Sequence, residues 1–403
     1  MWMRRIGRLA LVLVLMTSVA QWLAAQERAG GPGAPPGLVG PGSGRVGGAG
    51  VTRDLLYAVV PGRQNDIGYG GVGILVFDAA RNFRFVKRIP TWEYTAAQYP
   101  ENVKGVAVSI PLGLIYISTI RRIAAWDLTT EKKVWEQTYD GNCCDRMAIS
   151  PDGKTMYVPS LEMSNWYVVD AQTGKQIKFL PTPASDGAHN TVWSLDGTKV
   201  FLAGLRSTTM SIADAKTHTI VQTVGPFANV VRPFTVNGAG TLIYANVNDI
   251  IGFQIGDART GTVQPPVVVQ GYGWSRERIT GHGTPSHGVA LSPDEKEVWV
   301  VDGPNTAVHV FDNTVSPPKQ VKSIKTRDSS FWLTWSDNGR WVYASSGDII
   351  DAQSKAVITS LKDELGRDVQ GEKVVEVIFQ NGKPVKAVDQ FGVGRVRASA
   401  STN

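Results

Sequence analysis

Asp145-Arg146-Met147-Ala148-Ile149-Ser150-Pro151-Asp152-Gly153-Lys154-Thr155-Met156-Tyr157 packs a short strand, a turn and the start of a second strand into thirteen residues. Pro151 presets φ for the turn, Asp152 can bond its own backbone, and Gly153 tolerates positive φ. The pattern recurs in weakened form along the chain. The serine position is held in turn by Ser109, Ser150, Ser194, Asn237, Ser292, Ser336 and Gln380, at steps of 41, 44, 43, 55, 44 and 44 residues. Four-stranded sheets arrayed around an axis repeat at about this interval, roughly 40 to 50 residues.

Two markers inside the repeat hold its register. Seven residues after each of the first six positions stands an aromatic: Tyr116, Tyr157, Phe201, Tyr244, Trp299 and Tyr343. An Asp then follows: Asp127, Asp170, Asp214, Asp257, Asp312 and Asp351. In four of the six cases the aromatic-to-Asp distance is 13 residues, a regularity that chance spacing does not produce. One unit reads as four strands, Gly288 to Ser292, Glu297 to Val301, Val308 to Phe311 and Gln320 to Ile324, with turn residues between them. The aromatic suits the apolar contact between neighbouring sheets. The seventh unit is split. Val375 to Phe379 and the turn Gln380 to Lys383 lie near the C-terminus, while Tyr57, Asp78 and the strands Leu55 to Val60, Gly73 to Phe77 and Phe83 to Ile89 lie near the N-terminus. The expectation is an all-β chain, a seven-bladed β-propeller of four-stranded blades over residues 54–392, whose closing blade is shared by N- and C-terminal strands. A ring of blades must close or leave sheet faces in water.

The core Ser150-Pro151-Asp152-Gly153-Lys154 with Tyr157-Val158, and the turn Val168-Val169-Asp170-Ala171-Gln172-Thr173-Gly174-Lys175, resemble the YVTN-repeat propeller family. The resemblance covers roughly residues 54 to 392 and implies the seven-bladed ring. The superfamily includes domains similar to the haem domain of cytochrome nitrite reductases and the non-catalytic chain of amine dehydrogenases. It says little about function, because the repeated residues belong to turns and cores. WD-repeat signatures are absent from the sequence, as are the tryptophan-docking repeats of eight-bladed quinone alcohol dehydrogenases.

Residues 1–25 read as a signal peptide. Arg4, Arg5 and Arg8 precede the apolar run Leu9 to Met16, and Ser18, Ala20, Ala24 and Ala25 supply small residues for cleavage. The run is short for a bilayer span and no second run of spanning length follows, so the mature chain is expected to carry no transmembrane segment and to be periplasmic or extracellular. Residues 26–53 read as a flexible linker, with ten glycines and four prolines between positions 30 and 50. Residues 393–403 read as a C-terminal tail. The 403 residues are 42% hydrophobic and 19% charged, enough apolar material for a large core. The formal charge of +6 falls to near +3 once the three signal arginines are removed, too little to argue for nucleic acid on global electrostatics.

Candidate functional residues come from the register. Five residues before the serine position stand Lys104, Asp145, His189, Arg232, His287 and Phe331. Propeller geometry sets the start of each inner strand around one mouth of the central channel, so these residues are predicted to ring it, with Arg146 and Trp332 beside them. Polar groups there can simply solvate a water-filled channel, or can hold a small anionic or metal-bearing ligand through Arg232, His189 and His287. Two long connections cluster on the same face. Pro90 to Val103 carries Trp92, Tyr94 and Tyr99; Gly271 to Ser286 carries Tyr272, Trp274, Arg276, Arg278 and His282. Aromatics and arginines on rigidly mounted loops make binding surfaces, and they can equally pack on each other as lids. His189, His287 and His282 are the candidate metal ligands. The two cysteines, Cys143 and Cys144, are adjacent beside the same mouth. In an oxidising compartment they can close as a vicinal disulfide, structural or redox-active, or as thiols serve with His189 as soft-metal ligands.

No motif specifies a cofactor. Cys-x-x-Cys-His for covalent haem, His-Glu-x-x-His, Gly-x-Ser-x-Gly and a phosphate-binding glycine loop are all missing from the sequence. The leading expectation is therefore an exported binding scaffold rather than a catalyst, with a protein partner or a small anionic ligand at its top face and channel mouth. A periplasmic oxidoreductase or metal-dependent enzyme centred on the same mouth is a second reading. Single-stranded nucleic acid or another anionic polymer, held by stacking and arginines, is a third, which the near-neutral mature charge disfavours.

Overall fold

The structure, a computed structural model, describes residues 52–94, 98–140, 143–161, 163–279 and 282–397. The expected signal peptide and nearly all of the expected linker lie outside the described residues. The described chain forms seven antiparallel sheets arranged as the blades of a propeller, with only three single-turn 3-10 helices among them. The inner strands are Val103–Ser109, Ala148–Ile149, Ala188–Trp193, Val231–Val236, Val289–Leu291, Leu333–Trp335 and Val374–Gln380. Blades are numbered 1 to 7 in that order.

The repeated residues are explained by the bonds they make. The Ser150 hydroxyl accepts from the Thr155 amide at 3.0 Å and donates to Asp152 at 2.5 Å, locking the hairpin between first and second strands. Ser194, Ser292 and Ser336 accept in the same way from Lys199, Glu297 and Trp341, and Asn237 does so with its amide oxygen. The Asp that follows each aromatic accepts from backbone amides of the next turn, as Asp170 does from Thr173 at 2.8 Å. Asp78, at the N-terminal end, does the same for Ala80. The aromatics themselves are buried in every blade. Tyr157 meets Trp193 of the next blade edge-on at 5.3 Å, and Trp299 meets Trp335 at the same spacing. Truncating such a side chain to alanine costs about 3–5 kcal/mol.

Blade 7 closes the ring. Strand Thr52–Val60 pairs antiparallel with Val374–Gln380, from Thr52 opposite Gln380 to Ala58 opposite Val374. Thr52 and Arg53, expected in the linker, thus belong to the sheet. Gly73–Asp78 and Arg84–Ile89 complete the outer part of the blade. Buried residues of blades 6 and 7, Tyr343 and Ile349 with Leu56, Ala58 and Leu75, seal the last junction.

This blade also carries a fifth strand that the repeat did not foretell. Lys383–Ala387 folds back onto the channel side of Val374–Gln380. The turn between them is Asn381-Gly382, at φ 52 and 79, the double positive φ of the tightest hairpin connection. The chain then crosses the channel. The Asp389 and Gln390 carbonyls accept from Thr334 and Trp332 of blade 6, and the Gln390 side chain donates to Met147 O beside blade 2. The Gly392 carbonyl accepts from Thr235 of blade 4 and Leu291 of blade 5. Phe391 and Val393 are buried against Trp193, Val236 and Trp332. Bonds to the blades continue past residue 392, from Gly394 to Val236 and from Arg395 to Pro293. The tail read from the sequence as 393–403 therefore begins inside a channel plug.

Candidate functional site

Above this plug the heads of the inner strands bring buried polar side chains together around the channel mouth, a cluster called the pit below. Trp332 lies between that cluster and the plug. Its indole N–H donates to the Gln390 carbonyl of the plug, and the Arg146 guanidinium lies 3.5 Å from the centre of its ring. Arg146 extends to Glu372, which it meets at 2.5 Å, and Lys373 meets the same carboxylate oxygen at 3.1 Å. The other Glu372 oxygen contacts His282 Nε2 at 2.5 Å. The His282 ring stacks on that of His287 at 3.8 Å, and the His282 carbonyl accepts from Arg232. On the far side, Asp145 accepts from His189 Nδ1 at 2.5 Å and lies 3.6 Å from the Lys104 ammonium. The ring centres of His189 and His287 are 6.2 Å apart. Lys104, Asp145, Arg146, His189, Arg232, His287 and Trp332 are thus brought to one place, as the register predicted, and His282 joins them from the long connection.

Burial sets the charge states. It alone would push the Glu372 carboxyl up, but His282, Lys373 and Arg146 more than reverse this and hold it well below the ordinary value. Asp145 is likewise opposed by burial yet drawn down to about 2 by His189, Lys104 and Arg146. Burial lowers His189 to about 4, and lowers His282 and His287 as well, so the imidazoles are neutral at pH 7. Burial also lowers Lys373, to about 8, against the pull of Glu372. Three cationic side chains, Lys104, Arg146 and Lys373, therefore stand against the two carboxylates of Asp145 and Glu372.

Several buried polar atoms here meet no protein partner. Arg146 Nε and Nη1, His189 Nε2, His287 Nε2 and Gln390 Oε1 are all in this state. An unmatched buried donor or acceptor costs about 1–3 kcal/mol, so five in one pit mark a place for something other than protein.

The loop residues divide. Tyr94 and Tyr272 are each 40% exposed, Tyr272 lying edge-on to His309 at 4.6 Å. Trp92 instead packs edge-on to Trp126 and donates to Glu136 at 2.9 Å, and Trp274 leans on the core of blades 4 and 5. Arg276 pairs with Asp249 at 2.8 Å, and Arg278 bonds Pro304 O and Asn305 at 2.9 and 2.7 Å. These four brace the loops against the blades. Cys143 and Cys144 are buried in the core of blades 1 and 2 with their sulfur atoms side by side.

Glu372, Lys373 and Gln390 were missed from the sequence. Counting five back from Gln380 lands on Val375, while the acid that enters the pit lies three residues earlier. Its one signal is a Glu-Lys pair set directly before an apolar strand.

No family model matches the chain. Over 83 residues, 21% of this chain, it is 36% identical to transcription factor unc-37 of Caenorhabditis elegans, of which it spans 13%. Among solved structures it is similar to a chain of a mitotic checkpoint complex, with a TM-score of 0.56 at 15% identity, covering 72% of this chain and 87% of that one. It is also similar to a chain of hydrazine synthase from Kuenenia stuttgartiensis, with a TM-score of 0.55 at 15% identity, covering 72% of this chain and 89% of that one. At such identity the likeness establishes the propeller fold alone.

Proposed function

We propose that the protein is an exported, YVTN-type binding propeller that takes a small anionic ligand into the plugged pit at its channel mouth. One observation carries this reading: buried donors without partners, Arg146 Nε and Nη1, point into a pit whose cations outnumber its carboxylates. A dehydrated anion would satisfy those donors and gain from a low-dielectric site that is already paid for in folding energy. The cations lie inside a pit rather than along an open stacking face, so an anionic polymer fits less well. The exposed Tyr94 and Tyr272 on the long connections suit contact with a protein partner.

The test uses chelator-treated protein and thermal melts with millimolar phosphate, sulfate, oxalate or citrate. At least one anion should raise Tm by several degrees, and Lys104→Met should weaken that response about tenfold, measured against the anion-free Tm of the same variant. Indifference to all four anions, or an undiminished response in Lys104→Met, sinks the reading.

A further inference from the structure

His282, His287 and Glu372 each offer one donor atom, and these atoms all lie within 4.8 Å of one another. They come from separate parts of the chain: His282 from the long connection before blade 5, His287 from the start of its inner strand, and Glu372 from the head of blade 7. The orientation of His287 is fixed. Its Nδ1 donates to the Phe331 carbonyl at 3.1 Å, which leaves Nε2 as a lone pair, fully buried and without any protein partner. Ligating histidines are commonly set this way, one nitrogen tied to a carbonyl and the other aimed at the metal. Glu372 is held by Arg146 and Lys373 through its second oxygen, so the first is presented toward the histidines.

We propose that His282, His287 and Glu372 form a binding site for a first-row divalent cation of the zinc class. Two imidazole nitrogens and one carboxylate oxygen suit zinc, and an incomplete set of three leaves a further position open. To hold an ion at ~2.1 Å the donors of His282 and Glu372 have to part, and the two stacked imidazole rings have to turn toward it. The ion takes the place of the hydrogen now shared by His282 Nε2 and Glu372, and the one ring proton of His282 moves to Nδ1. His189 lies outside the cluster, its Nδ1 tied to Asp145 and its Nε2 also unmatched. The proposal deepens the pit-binding reading but does not require an anion, since the metal is measured by itself.

The full chain is purified without chelator, stripped with EDTA, and titrated with Co²⁺ and Zn²⁺. Expected results are close to one equivalent of metal per chain, a visible Co²⁺ absorption band that Zn²⁺ abolishes, and a Tm several degrees higher with Zn²⁺. His287→Asn keeps a donor for the Phe331 carbonyl and should lose at least 100-fold in affinity, as should His282→Gln. His218→Gln, at a ring bonded to Tyr157 away from the pit, should bind like the wild type. Uptake below about a tenth of an equivalent by the folded wild type overturns the proposal. So does a Co²⁺ band that survives in both pit variants, or one lost equally in His218→Gln. A metal-binding protein that ignores every anion would leave this site standing and remove the function proposed above.

Discussion

Glu372 and Glu376 are four residues apart at the head of one strand, both almost wholly buried, and they rest in opposite charge states. Glu372 meets Arg146, Lys373 and His282 and stays ionised. Glu376 is pushed up to about 8, by burial and then by the neighbouring Asp54 carboxyl on the strand that closes the ring. Burial acts alike on both, so the neighbours decide. At the pit a charge is kept, together with cations that a ligand can use. At the seam between the two ends of the chain the charge is suppressed, and the acid acts as a neutral hydrogen-bonding group. The Asp337 amide and the Tyr343 hydroxyl, the latter at 3.0 Å, donate to it. Lys386 and Arg395 stand nearby but are turned to the Asp337 carboxylate, at 2.7 and 3.7 Å.

The largest effect should come from taking a cation away from Glu372. Arg146→Met leaves the buried carboxylate with Lys373 as its remaining cation and should cost about 3 kcal/mol in urea unfolding. Glu376→Gln at pH 6 should cost about 1 kcal/mol or less, since a neutral group replaces a neutral group. Equal losses in the two variants would break the contrast.

The next effect is a pH slope. The folded value for Glu376, about 8, lies above the ordinary glutamate value of ~4.3. Its contribution is therefore complete below pH ~4 and is lost as pH rises through 8. Stability should fall by about 3 kcal/mol between pH 6 and pH 9, and Glu376→Gln should flatten that part of the profile. A slope unchanged in the variant would assign the loss to another group. The smallest effect should come from Asp54→Asn. With the second carboxyl gone, the midpoint of the slope should move down by about one pH unit. Burial stays as it was, so a return to the ordinary glutamate value would mean that the neighbour and not desolvation dominates.

Much of the fold was legible because each blade repeats the same local chemistry: Ser150 and its equivalents close hairpins, Asp170 and its equivalents cap turns, and Tyr157 and its equivalents fill the junctions. The five polar residues five places before the serine position, Lys104, Asp145, His189, Arg232 and His287, were legible for the same reason, being fixed by strand register. Glu372 was not, because it precedes its strand and reaches the pit outside the register. The fifth strand of blade 7 was hidden by its short, mostly exposed alternation, Lys383-Pro384-Val385-Lys386-Ala387. Phe391 and Val393 carry no periodic signal at all; they are buried only because a hollow axis is there to receive them.

The segment from Asp389 to Arg395 turns what would be a tunnel into a cup. Under the function proposed above, a ligand reaching Arg146 from the open mouth would have to leave by that same mouth, so entry and release would share a single threshold.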